Sequence, residues 1–458
     1  MFVEKIKSEG LAHLSYLVGA GGRAAVIDPR RDCEVYVEMA AGRGCRITHI
    51  LETHRNEDLV SGAPVLAEWT GAEVFHGPNA AGEVAYARPV CEGEAFMLGK
   101  LLIKVLETPG HTDDSLSFAL YDTAFGADAV GVFTGDALFV GDVGRTDFYP
   151  DRAAAVAGLL YDSLGKILAL GDQAMLYPAH GAGSVCGNNM ADREFSTLGY
   201  ERRHNPMLQI GDRDAFIEKK LAEHHYQPPY FRLMEKLNRK GARAPGAGLT
   251  PPPLGPGAVE RLAERARLVD VRGTAAFLGA HPPGALALSV DMLPAFAGWL
   301  LDPDEDLVLI ADDARQAALA ARYLARIGYD RVAGYLKAAM PAWAAQAKDF
   351  ASVPVVDAGT VAQRVAGQPD DWTLLDVRGI TEVAQGIVAG AQPIYVGELP
   401  QRLDELDPAR RYTVMCASGA RATIAASVLL KNRFRQVDVF LGSMGAWQRA
   451  DHPVVAPR

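Results

Sequence analysis

Four short segments of this chain carry imidazoles and carboxylates in a pattern that suits a metal ion. In chain order they are Thr53-His54-Arg55-Asn56-Glu57-Asp58, Thr108-Pro109-Gly110-His111-Thr112, Thr134-Gly135-Asp136 and Tyr177-Pro178-Ala179-His180-Gly181. Imidazole nitrogen and carboxylate oxygen are ligands for first-row metals. The glycines before His111 and Asp136 permit tight turns that aim a side chain into a cleft. A fifth segment holds a nucleophile, in Val414-Met415-Cys416-Ala417-Ser418-Gly419-Ala420-Arg421. It follows a strand-like run and opens an Ala-rich helical pattern. Successive backbone N–H groups and the helix N-terminus then point at the sulfur and can cradle a persulfide anion. Arg421 adds positive charge beside it. Ala417, Ser418, Gly419 and Ala420 alone separate Cys416 from Arg421.

These residues need elements to hold them. Ala24–Ile27, Thr48–Leu51, Leu102–Val105 and Val130–Phe133 read as strands. Many reactive side chains fall just after strands, on loops that a scaffold displays. A first domain is expected over residues 1–240. Residues 241–257 are rich in Pro and Gly and predict a semi-rigid spacer. Beyond it the chain repeats itself. Leu268-Val-Asp-Val-Arg-Gly273 returns as Leu374-Leu-Asp-Val-Arg-Gly379, and Ala342-Trp343 returns as Ala446-Trp447. Strand-like runs such as Asp306–Ile310 alternate with helical ones such as Gln316–Ile327, which predicts parallel sheets. Two small α/β domains are expected, at 258–346 and 354–458. The first has Ala311 where the second has Cys416, followed by Asp312 and Asp313, which would repel an anion. It should be catalytically silent.

Together the four metal-type pieces resemble the metallo-β-lactamase superfamily over about residues 1–240. That resemblance implies an αββα sandwich with a metal cleft at one edge. Hydrolases of the superfamily usually carry T-H-x-H-x-D-H in the first piece and bind two metals. Here Asn56 and Leu59 stand at two of the histidine positions, and leucine ligates nothing. The mapping leaves His54, His111 and Asp136. Two histidines and a carboxylate form the facial triad of non-haem Fe(II) oxygenases. The persulfide dioxygenase branch of the superfamily uses these positions for a single iron, so the resemblance implies one Fe(II) per chain. Gly144-Arg145-Thr146-Asp147-Phe148 and His180-Gly-Ala-Gly-Ser-Val-Cys186 match the same branch. Asn56, Asp58, Arg145, Asp147 and His180 are then expected around the metal or the substrate. Cys186 is expected near the cleft mouth, in reach of a sulfur atom. The Cys416 loop resembles the active loop of rhodanese sulfurtransferases, with Asp376-Val377-Arg378 as that family's earlier landmark.

The expected activity is that of a persulfide dioxygenase fused to a sulfurtransferase. It would oxidise a low-molecular-weight thiol persulfide (glutathione or another carrier) with O₂ to sulfite. Cys416 would move sulfane sulfur to form or consume thiosulfate. Two other readings stay open. One is a binuclear zinc hydrolase of the glyoxalase II or lactamase type, using Asp58, Asp136 and His180. The other is a non-catalytic sulfur carrier or redox sensor working through Cys416 alone.

Composition bounds the alternatives. The net charge of −10 argues against nucleic acid or an anionic membrane as partner. No apolar run is long enough to span a bilayer, and Met1-Phe2-Val3-Glu4-Lys5 lacks the start of a signal peptide. Five scattered cysteines suggest reduced thiols and a cytoplasmic setting. A homo-oligomer is expected from the resemblance.

Overall fold

Several strands of the N-terminal half are buried along nearly their whole length, so they hide both faces. The computed structural model describes residues 1–78, 82–187 and 189–457. Two compact units divide the chain, Met1–Pro245 with Arg326–Gly328, and Gly246–Ala325 with Tyr329–Arg458.

In the first unit one sheet runs in the order β1 (Phe2–Ser8), β2 (His13–Ala20), β3 (Arg23–Ile27), β4 (Arg46–Leu51), β5 (Glu73–His76), β6 (Arg88–Pro89). The hairpins β1–β2 and β2–β3 are antiparallel, and β3 to β6 run parallel. The second sheet holds β7 (Ala95–Leu98), β8 (Leu101–Glu107), β9 (Leu116–Asp122), β10 (Ala129–Gly135) and β11 (Met175–Pro178), in reverse order across the sheet. Tyr16, Val18, Ile27 and Leu51 of the first sheet pack against Ile103, Val105, Phe118 and Phe133 of the second. Each large side chain so buried contributes about 2 kcal/mol. Helices Glu34–Gly42 and Ala63–Thr70 cover the outer face of the first sheet. Helix Ala153–Leu168 covers that of the second. The result is the αββα sandwich.

Direction explains where the site lies. Strands β8 and β10 both oppose β9, and β11 runs with β10. Their C-terminal ends therefore share one edge of the sheet. His111, Asp136 and His180 follow those three ends.

The second unit contains two five-stranded parallel sheets of the same order. The first reads Pro253–Leu254, Val332–Leu336, Asp306–Ile310, Ala266–Asp270, Leu286–Ala287. The second reads Val355–Val356, Gln436–Phe440, Arg411–Met415, Trp372–Asp376, Gln392–Pro393. The landmarks of the repeat are braces. Arg272 forks onto Asp270 at 2.9 and 2.5 Å, and Arg378 onto Asp376 at 3.0 and 2.7 Å, each pair buried at a strand end. Trp343 donates its indole N–H to the Asp349 carbonyl, and Trp447 donates to that of Pro453.

The sequence alone reads residues 241–257 as a spacer, yet Pro253–Leu254 forms an edge strand. Only carbonyls are needed there: those of Pro252 and Leu254 accept from the Tyr335 and Lys337 N–H groups. Proline lacks a donor and is tolerated at an edge for that reason. Among the described residues no helix is long and apolar enough to cross a membrane.

Candidate metal centre and sulfur site

His54 follows β4 and is set by its neighbour. The Thr53 amide and hydroxyl donate to Asp28 Oδ1 and Oδ2 at 2.7 and 2.9 Å, and the same hydroxyl lies 2.9 Å from His54 Nδ1. With its proton directed to Asp28, the Thr53 oxygen accepts from Nδ1 and leaves Nε2 as a lone pair. His111 Nδ1 is 3.0 Å from the Arg145 carbonyl, so it too donates and leaves Nε2 free. Asp136 Oδ1 accepts from His180 Nδ1 at 2.7 Å, which leaves Oδ2.

Two turns make this possible. Gly110 has φ +144°, and a Cβ there would meet the Leu160 backbone at 2.4 Å. Gly135 has φ +53°, and a Cβ there would lie 2.6 Å from the Thr53 hydroxyl. Both glycines are therefore required by backbone angle and by space.

The three ligand atoms converge. Asp136 Oδ2 lies 3.8 Å from His54 Nε2 and 3.5 Å from His111 Nε2. All three are buried without a hydrogen-bond partner. Buried polar atoms are rarely left unpaired. Ligands of one cation, each at 2.0–2.2 Å, stand roughly 3–3.5 Å apart, close to these separations. The donor set and the orphaned atoms fit a metal ion. Burial lowers His54 below its ordinary value, holding it neutral. Burial works against charge on Asp136, but His180, His54 and His111 outweigh it and keep the carboxylate ionised.

The remaining expected residues fall around this centre in different ways. Asp58, His180 and Cys186 form a second buried cluster whose ligand-type atoms lie within 4.8 Å of one another. His180 directs Nδ1 to Asp136 and places Nε2 3.0 Å from Asp58. Burial opposes a charged His180, and the two aspartates raise it well above its ordinary value regardless. Cys186 is not at the cleft mouth but buried, and desolvation followed by the Asp136 and Asp58 charges pushes its thiol well up. Asn56 is buried, with its Oδ1 unpartnered. Arg145 is buried and forks onto Asp147 at 2.6 Å for both bonds, while its Nη1 reaches the carbonyls of Val185 and Tyr226. It ties three loops together and so holds the carbonyl that orients His111.

Sequence reasoning missed several supports. Asn238, on helix Phe231–Lys240, donates to the Asn56 and Leu59 carbonyls, both at 2.7 Å, and accepts from the Ser61 amide at 2.8 Å. Tyr230 donates to the Asp58 carbonyl at 3.0 Å. Helix periodicity marks Asn238 only as one buried polar position. Asn238→Ala would strand three buried backbone groups. It is expected to destabilise the first unit by roughly 3 kcal/mol or more. Metal affinity should fall about tenfold as the loop loosens. Urea unfolding and chelator competition measure the two, and an unchanged affinity would remove Asn238 from the site's support.

Asp28 carries a pH dependence. Burial, partly offset by the Thr53 hydrogen bonds, pushes its carboxyl from 3.8 up to about 7. A raised folded value means its contribution is present below about pH 4 and lost as pH climbs to about 7. Stability of the metal-free wild type relative to Asp28→Asn should drop by a few kcal/mol between pH 4 and pH 8. A flat difference in urea midpoint over that range would contradict it.

In the second unit Cys416 is buried at the end of strand Arg411–Met415, before helix Ala420–Lys431. Its Sγ accepts from the Gly419 amide at 3.1 Å, and its own amide donates to Ser443 Oγ at 3.0 Å. Arg421 forks onto Glu382 at 2.5 and 2.7 Å. Its charge is therefore shared with a carboxylate, a partner that local spacing did not reveal. Ala311 occupies the matching strand end in the first repeat and is also buried.

Comparison with known proteins agrees with this architecture. Residues 9–180 match the Metallo-beta-lactamase superfamily, and residues 256–346 and 357–450 match the Rhodanese-like domain. A crystal structure of a metallo-beta-lactamase from Staphylococcus aureus subsp. aureus COL is 31% identical. The match covers 74% of this chain and 99% of that one, with a TM-score of 0.67. A probable metallo-hydrolase of Burkholderia pseudomallei is 28% identical over 48% of this chain and 86% of its own. A hydroxyacylglutathione hydrolase of Methylobacterium nodulans is 31% identical over 37% of this chain and 71% of its own. A metal-site sandwich followed by two repeats of one parallel α/β domain thus has relatives in every part, and the chain belongs to the metallo-beta-lactamase superfamily, joined to two rhodanese-like domains.

Proposed function

We propose that the protein is an Fe(II) persulfide dioxygenase coupled to a rhodanese-type sulfurtransferase. One observation carries this reading. Three unpartnered ligand atoms, from His54, His111 and Asp136, face one point, while the other oxygen of Asp136 is taken by His180. A carboxylate so engaged is poorly placed to bridge two metals, and Leu59 offers no ligand for a second one. Two imidazoles and a carboxylate leave open positions for a substrate and O₂.

Iron, when bound, supplies the O₂ chemistry and a position for the persulfide sulfur. The chain supplies the rest. Thr53 and the Arg145 carbonyl hold the Nδ1 protons of His54 and His111, keeping both Nε2 atoms as lone pairs. His180 orients Asp136. Phe148 stands edge-on to His111 at 5.3 Å and places an apolar ring beside the centre. The overall change converts a persulfide, O₂ and water into the thiol, sulfite and two protons. At the second site Cys416 accepts a sulfane sulfur. With sulfite, the S–S bond of the Cys416 persulfide breaks as the S–S bond of thiosulfate forms, and the cysteine leaves as thiolate. The reverse step consumes thiosulfate and balances equally. The substrate class is a small thiol persulfide, and the setting a reducing cytoplasm.

A hydrolase reading is favoured by a separate observation, the Asp58–His180–Cys186 cluster, and by the hydroxyacylglutathione hydrolases among the relatives. Metal analysis with O₂ uptake on glutathione persulfide separates them. About one iron per chain with O₂ uptake supports the dioxygenase. Two zinc ions with thioester cleavage overturn it, as does iron-loaded protein that consumes no O₂.

A further inference from the structure

Glu57 has no role in anything described so far. It lies in the turn between His54 and Asp58, with a side chain 16% exposed. Its Oε2 sits 3.4 Å from His111 Nε2 and 3.8 Å from His54 Nε2. Those separations match the ones that Asp136 Oδ2 makes with the same two nitrogens, 3.5 and 3.8 Å. Oε2 also lacks a hydrogen-bond partner, as do His54 Nε2, His111 Nε2 and Asp136 Oδ2. Four buried polar atoms left unpaired around the same two imidazoles would be costly unless a charged group sits among them.

Charge points the same way. With neutral imidazoles, His54, His111 and Asp136 carry a single negative charge, so a divalent ion there would leave a net positive charge in a buried site. Adding Glu57 brings the set to neutrality with the ion. The turn is also held so that Glu57 faces inward. Asn238 clamps the carbonyls on either side of it, those of Asn56 and Leu59.

We infer that Glu57 is a fourth protein ligand of the metal held by His54, His111 and Asp136. It takes over the ligand count lost at Asn56, where an amide replaces an imidazole. With Glu57 the chain would supply four ligands to the ion instead of three, leaving fewer positions for water beside the substrate and O₂. The inference rests on the metal reading of the triad and not on persulfide chemistry.

The test uses the full chain, titrated without oxygen with Fe(II) and separately with Co(II), each against a competing chelator. Wild type, Glu57→Gln, Glu57→Asp and His111→Ala are compared. Glu57→Gln preserves side-chain volume, and metal-free melting curves check that it folds. It is expected to bind both metals roughly tenfold more weakly or worse. Its visible Co(II) bands should shift, because one carboxylate leaves the ion. Glu57→Asp, which keeps the charge on a shorter arm, should fall between. Wild-type affinity and unshifted Co(II) bands in Glu57→Gln would overturn the inference. If His111→Ala loses the metal while Glu57→Gln keeps it, only the role of Glu57 fails. If wild type binds neither metal, the centre itself fails with it.

Discussion

His111→Ala is expected to empty the metal centre and abolish O₂ uptake with glutathione persulfide. The imidazole supplies one of the converging ligand atoms, and its Nδ1 is already committed to the Arg145 carbonyl. Removing a ligand should weaken Fe(II) binding roughly a hundredfold or more, about 3 kcal/mol. The substitution also leaves a buried carbonyl unpaired, so metal-free stability must be measured alongside. Sulfur transfer from thiosulfate to cyanide at Cys416 should persist, because that cysteine sits in a different domain. Iron content equal to wild type in the variant would refute the assignment of His111.

Cys416→Ser is expected to give the opposite pattern. Oxygen is far less able than sulfur to accept a sulfane sulfur, so thiosulfate-dependent transfer should fall roughly a thousandfold or more. The change is nearly isosteric. The Gly419 amide can still donate to the new hydroxyl, and the Ser443 contact to the Cys416 amide is retained. Iron content and O₂ uptake should match wild type. Intact-mass measurement after thiosulfate treatment should show one added sulfur in wild type and none in the variant. Undiminished transfer by Cys416→Ser would move the nucleophile elsewhere, and the other cysteines would then need testing in turn.

Much of the scaffold was legible before any coordinate. Short strand-like apolar runs marked β3, β4, β8 and β10. The repeat of Asp-Val-Arg marked two similar domains, and it proved to be a structural brace at Asp270–Arg272 and Asp376–Arg378. Other features were invisible for a physical reason. The partners of Arg421, Asn56 and His54 lie far away in the chain, at Glu382, Asn238 and Asp28, the last acting through Thr53. Spacing rules reach only one or two turns. Cys186 shows the same limit. Its position soon after His180 suggested a cleft mouth, but packing buries it beside two carboxylates. The Pro-rich stretch misled in part, because composition predicts stiffness and not which carbonyls find a neighbouring strand.

By itself the sequence determined the ligand types and the order in which they follow their strands. It determined that Leu59 cannot ligate, and that Cys416 has no counterpart at Ala311. Those facts depend on side-chain chemistry and local backbone preference, which short segments carry with them. Tertiary structure alone decided which atom of each residue is free. It directed Nδ1 of His54 and His111 into hydrogen bonds and left Nε2 open, engaged one oxygen of Asp136 with His180, and turned Glu57 toward the same imidazoles. Those choices are made by hydrogen-bond partners from separate strands and loops, which meet only when the sheets close on one another.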